Sequence, residues 1–331
     1  PKTFLFLFTL SFIGNSLRPV YINILQGLQK ITEIIRLRIW ISIFEIISLI
    51  SLILIFDTIG FFYSILVSSL FFLFILLNFM KKEDISLSLS LNLNNNLVKK
   101  VVAFGYFNLA LGVINLGAVY LQNNIISSNI GIFSVGLFWA AISIKTYSDL
   151  IGRSSGFYFL PTMSKKLLFK DRLVEFNNYV FFSIVTYTLV MLSISIFINE
   201  TITILFSEEF LPLITILPFF LIAEFLHNLE RPFTQTMIGM AFLKVHSISV
   251  TISCAIWVVI PYFYIKDIGL IAIPIALSMG HLITIIINAF YLKKQINLKL
   301  MNRNVLLICY SICAFLSVMY FSFILVKVFI L

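Results

Sequence analysis

Charge is what this chain has least of: 11% of its 331 residues are Asp, Glu, Lys or Arg, where a soluble domain carries about 25%. Water is therefore not the solvent for most of its surface. Cysteine is nearly as scarce. Cys254, Cys309 and Cys313 all fall in apolar stretches at no metal-ligand spacing, which excludes a disulfide scaffold and a structural zinc site and predicts small buried thiols. There is no Gly-rich phosphate loop, no HExxH and no nucleophile paired with a base, so the usual soluble-enzyme chemistries have no anchor here.

What is abundant is apolar length. Hydrophobic residues make up 60% of the chain, with 36 Phe against 13 Gly. Stretches of 18 or more apolar residues recur throughout, each long enough to cross a bilayer core of roughly 30 Å as a helix. Helices are required because lipid offers no partner to a backbone N–H or C=O. The expected spans are 3–27, 39–56, 60–80, 101–122, 131–163, 176–198, 210–240, 246–265, 267–292 and 304–330, an all-α integral membrane protein.

The loops then alternate in charge. Lys30, Arg36 and Arg38; Lys81, Lys82, Lys99 and Lys100; Lys165, Lys166, Lys170 and Arg172; Lys244; and Lys293, Lys294, Lys299 and Arg303 all fall on one side. The other side has only Lys2, Lys266 and Lys327, beside Asp57, Glu200, Glu208, Glu209 and Asp267. The positive-inside rule makes the first set cytoplasmic. It also accounts for the net charge of +9 without a nucleic-acid partner.

Four cations remain inside spans: Arg18, Lys145, Arg153 and Arg231. A charge at the bilayer centre costs at least ~2.5 kcal/mol, so each should face a cavity or a partner. Arg18 lies 12 residues before Lys30, about 18 Å of helix, too far to be an anchor at that interface. Lys145, Asp149 and Arg153 are spaced i, i+4, i+8 on one helical face, either a self-neutralising ladder or the lining of a water-filled cavity. Glu224, His227 and Glu230 precede Arg231 and are candidates for proton or cation coupling, or for charge compensation. Glu45 has no partner that spacing identifies.

An internal repeat links the arginines. NSLRPVYINILQGLQK at 15–30 matches NLERPFTQTMIGMAFLK at 228–244, with Asp57 and Gly60 echoed by Asp267 and Gly269, and the pair Lys81–Lys82 by Lys293–Lys294. Four landmarks at a nearly constant offset argue for a duplicated, parallel helical bundle. On that offset Arg18 belongs to the fourth helix of the first half, Pro1 is not an initiator Met, and about three helices are expected before residue 1.

ILQGLQK at 24–30, IGIFSVGLFWAA at 130–141, LPTMSKK at 160–166, ILFSEEFLPLITIL at 204–217 and DIGLIAIPIALS at 267–278 together resemble the multidrug/oligosaccharidyl-lipid/polysaccharide exporter superfamily, and within it the Wzx-type flippases for lipid-linked O-antigen units. Many members carry an acidic and basic pair where this chain has Gln122, Asn123 and Asn124. The resemblance implies two pseudo-symmetric six-helix bundles, the first incomplete: residues 1–80 as its last three helices, 81–100 (SLSLSLNLNNN) as a cytoplasmic connector, 101–295 as the second bundle and 296–331 as an additional C-terminal helix. It implies transport of an undecaprenyl-diphosphate-linked oligosaccharide across a bacterial inner membrane by alternating access. H⁺ or Na⁺ would be the coupling ion and a polysaccharide polymerase a partner, with no cofactor, no metal and no catalysis. Arg18, Arg231, Lys145 and Arg153 would then meet the diphosphate, with Asp149, Glu224, His227 and Glu230 as charge partners or ion-coupling groups. The competing readings are a multidrug exporter of the same superfamily and a membrane-embedded polymerase, ligase or glycosyltransferase.

Overall fold

Side chains this apolar leave the backbone to satisfy itself, and among the described residues it does so with helices and no strand. The computed structural model describes residues 30–82, 95–164, 169–298 and 300–315, with positions 9, 11, 12, 15, 16, 18, 21, 22 and 25 before them. The chain divides into two units, Pro1–Asn94 and Asn95–Leu331.

In the first unit a 52-residue helix, α1 (Ile31–Lys82), is broken at Asp57, whose backbone has φ 52° and ψ −137°. The two arms fold back on each other. Phe44 stacks on Phe71 at 3.8 Å and the Ser48 and Ser68 hydroxyls are 3.2 Å apart, so both pairs centre on residues 57–58. Gly60 permits the reversal, because a Cβ there would lie 2.0 Å from the Leu52 carbonyl oxygen.

The second unit contains α2 (Asn95–Asn129), α3 (Ile132–Ser164), α4 (Phe169–Ile196), the short α5 (Ile198–Leu205), a 3₁₀ segment (Glu208–Thr215), α6 (Leu217–Gly239), α7 (Leu243–Ile268), α8 (Ala272–Ile296) and α9 (Asn302–Phe315). Counting both units, five stretches among the described residues are long and apolar enough to cross a membrane, or six if the bent pair formed by Glu208–Thr215 and α6 counts as one span. One of the five, Leu243–Ile296, is itself a hairpin. Ser249 meets Asn288 at 3.1 Å, and Ser253 and Trp257 lie over Gly280, placing the reversal at Gly269. Bulky apolar side chains face outward, Ile132 at 85% exposure and Leu54 at 80%. Such a surface is stable against lipid and not against water. The protein is a multi-pass, all-α membrane protein.

Relative helix directions agree with the alternation of basic and acidic loops. α7 and α8 run antiparallel. α4 and α9 run in the same direction: Asn177 bonds Met301 and Asn304 at one end and Thr188 bonds Ser311 further along. Arg303 also lies 4.5 Å from the Phe181 ring centroid.

The duplication proposed from sequence has local counterparts within each unit. Lys30 N–H donates to Leu25 O at 3.0 Å, and Phe242 N–H to Met237 O at 2.8 Å, 212 residues further on. Ile34 N–H to Lys30 O is matched by His246 N–H to Phe242 O at the same displacement. Each following hairpin then reverses at a residue of nearly identical backbone geometry, Asp57 as above and Gly269 at φ 62°, ψ −148°.

Three expectations change. Helices extend past the apolar spans into the basic segments, so Arg36, Arg38 and Lys99 are helical; hydropathy registers the hydrocarbon core and not the headgroup layer. The 210–240 span is not one straight helix but bends by 62°, because Pro212 and Pro218 each lack a backbone donor. Cys254 is buried, but Cys309 and Cys313 are exposed. Hydrophobicity alone does not separate a core face from a lipid face. The 304–330 span is described only to residue 315.

Candidate functional site

Gly152 and Gly156 stand one helical turn apart, and the small face they make lets α3 lie close against α6. A Cβ at Gly152 would be 2.0 Å from Asn228 Oδ1 and 3.5 Å from Arg231 Nε, and one at Gly156 would be 3.7 Å from Gln235 Nε2. Lys145 lies on the same face and its ammonium is 3.1 Å from Glu224 Oε2. Lys145 with Glu224, Gly152 with Arg231 and Gly156 with Gln235 share one register, so the helices run parallel.

Along this seam the in-span charges are paired between helices. Glu224 is fully buried. Besides Lys145, it accepts a hydrogen bond from Asn228 Nδ2 at 2.9 Å and has His227 Nδ1 at 3.2 Å. Asp149, with 3% of its side chain exposed, forms an ion pair with Arg231. Glu230 turns away from this seam toward α8, where His281 Nδ1 is 2.6 Å from its Oε2 and Thr234 donates to its Oε1 at 3.1 Å. The His227 and His281 rings stack with centroids 4.8 Å apart and 25° between planes, and Trp257 of α7 meets His281 edge-on at 5.4 Å.

Each pairing answers one cost. A lone charge at this depth is expensive, and a buried pair offsets that only when its remaining lone pairs and protons also find partners. Asn228 and Thr234 supply those secondary bonds to Glu224 and Glu230. Ligand atoms of Asp149, Glu224 and His227 lie within 4.8 Å of one another, but the two carboxylates already hold Lys145 and Arg231, so the positive charge is built in.

Of the residues selected from sequence, the structure thus gathers Lys145, Asp149, Glu224, His227, Glu230 and Arg231 on α3 and α6. Asp149 pairs with Arg231, 82 positions away, and Glu230 pairs with His281. Arg153 is on α3, but its side chain lies outside the described residues. Arg18 belongs to the first unit, where its Nη1 is 2.6 Å from Glu45 Oε1, with 28% and 39% of the two side chains exposed. Glu45 therefore has the partner that spacing did not identify.

Sequence reasoning missed His281 and the pair Gly152–Gly156. The signals were present: a lone His in the 267–292 span is as costly as any other ionisable group in lipid, and GRSSG at 152–156 is a small-xxx-small helix-packing pattern. Gln122 is buried and donates to the Trp257 carbonyl at 2.9 Å. Pro261 has no N–H to give that carbonyl, so Gln122 replaces a missing helix bond.

Compared with protein-family models, with characterised proteins and with solved structures, the chain matches none.

Proposed function

We propose that this protein is a transporter of a lipid-linked polyanion: a flippase that carries an undecaprenyl-diphosphate-linked oligosaccharide from the cytoplasmic to the periplasmic leaflet of a bacterial inner membrane. The observation that carries this reading is the stock of basic side chains held inside apolar helices by buried or half-buried acids, Arg18 on Glu45, Lys145 on Glu224 and Arg231 on Asp149. A diphosphate that crosses the membrane needs cationic donors at depth, and the guanidinium fork matches phosphate oxygens in a bidentate way. In this reading the acids hold the cations while no substrate is bound, and the phosphate displaces them as the α3–α6 seam opens. Alternating access supplies that opening.

A multidrug exporter is the second reading, favoured by the three buried carboxylates Asp149, Glu224 and Glu230, which suit a lipophilic cation. A membrane-embedded polymerase, ligase or glycosyltransferase has less support, since the described cluster has no nucleophile set against a base.

The test is complementation of a flippase-null strain across a panel of glycan pathways. Arg18→Ala and Arg231→Ala should each sharply reduce flipping at unchanged membrane abundance, with Arg→Lys restoring it only in part. Normal flipping by the double Arg18→Ala, Arg231→Ala variant at wild-type abundance would end the proposal. Efflux of lipophilic cations without glycan transport would select the second reading.

A further inference from the structure

Of the three buried carboxylates among the described residues of the second unit, two face a strongly basic side chain: Glu224 has Lys145 and Asp149 has Arg231. Among the described residues Glu230, 9% exposed, has only an imidazole, His281 at 2.6 Å, with the Thr234 hydroxyl on its other oxygen. Its negative charge is balanced only if that imidazole carries a proton. The ring is itself stacked on a second imidazole, His227, which sits on Glu224. Protonating both rings would set two like charges face to face at 4.8 Å in a medium that screens poorly. The geometry therefore accommodates one proton and opposes a second. The Nε2 of His281 is buried and has no hydrogen-bond partner among the described residues, so the ring keeps a free position on the side away from Glu230.

We propose that the stacked imidazoles of His227 and His281, seated on Glu224 and Glu230, form a binding site for one proton that holds α6 to α8. Removing that proton leaves Glu230 as an uncompensated charge at the contact between the two helices and weakens their association. The site is thus a proton-operated latch, and it selects H⁺ over Na⁺ because the imidazole nitrogen already occupies the carboxylate oxygen that a metal ion would need. The proton site stands on the geometry alone; its use as the coupling step rests on the transporter reading.

The charged and titratable groups around it are Lys145 and Asp149 from α3, Tyr179 from α4, Glu224 and Arg231 from α6, and His246 and Cys254 from α7, the last two within electrostatic range of Glu230.

The test counts protons on the full chain in lipid nanodiscs. The three histidines are ¹⁵N-labelled, assigned by single substitution, and followed by NMR between about pH 9 and about pH 5, the range in which imidazole titrates. The wild type should take up one proton over the pair, with both rings responding together. Glu230→Gln should abolish that uptake. Uptake of two protons, independent titration of the two rings, no uptake in this range, or uptake insensitive to Glu230→Gln would each overturn the proposal. The wild-type count needs no variant to fold. A one-proton count in a chain that supports no transport would retain the site and remove the transporter reading, whereas transport without the one-proton count would do the reverse.

Discussion

Glu224 shows what a single residue requires at membrane depth. It is fully buried and satisfied by Lys145, Asn228 and His227 from two helices. Lys145→Met is predicted to lower stability by about 3–5 kcal/mol, since it strands a buried carboxylate, and Glu224→Gln should cost a similar amount by stranding the ammonium. The double variant should lose far less than the sum of the two. Thermal unfolding of the four proteins in one detergent measures this coupling, and additive losses would mean that the two groups do not interact. Lys145 and Glu224 were both singled out by sequence as charges inside apolar spans. Their pairing was not legible, because 79 residues separate them and only the parallel packing of α3 on α6 brings them together.

Among the elements, the ends of α6 and α7 carry the most local information. α6 closes with two bonds, Phe242 N–H to Met237 O and Ala241 N–H to Ile238 O, a Schellman arrangement that puts Ala241 in the left-handed region at φ 59°. Glycine is the residue suited to that position, and the Cβ of Ala241 opposes the conformation that the bonds require. Ala241→Gly should therefore stabilise the protein by about 1 kcal/mol. At the next turn Gly269 already occupies such a position, and Gly269→Ala should destabilise by about 1–3 kcal/mol. Both are read as shifts in the same unfolding experiment; a loss of stability in Ala241→Gly, or none in Gly269→Ala, would contradict the backbone argument. Gly269 was legible as a repeat landmark. Ala241 was not, since nothing in an Ala codes for a positive φ.

Across the whole molecule, the alternation of loop charge predicts which ends of the helices share a side. Gln295→Cys, at the end of α8, should resist a membrane-impermeant thiol reagent applied to intact cells, and Asp267→Cys, at the opposite end of the same hairpin, should react. Both positions are exposed in the structure, so a failure to react at Asp267→Cys would not be due to burial. Labelling at Gln295→Cys with none at Asp267→Cys would reverse the orientation. The native Cys309 and Cys313 are exposed, so the experiment starts from a variant with both replaced by Ser.

Composition and periodic charge alone determined that the chain spans a membrane, how its spans alternate and where the costly ionisable residues lie, because burial in lipid acts on each segment separately. The repeat was read from Arg-Pro, Gly and Lys landmarks at a nearly constant offset, a pattern that needs no tertiary structure to be seen. Which acid holds which cation was decided only by tertiary structure. Asp149 pairs across to Arg231 on another helix, and Glu230 pairs with His281. Helix packing sets those choices, through the two glycines that bring α3 against α6 and the hairpin at Gly269 that returns His281 to His227. Pairing depends on distances between segments remote in sequence, and no local pattern encodes those distances.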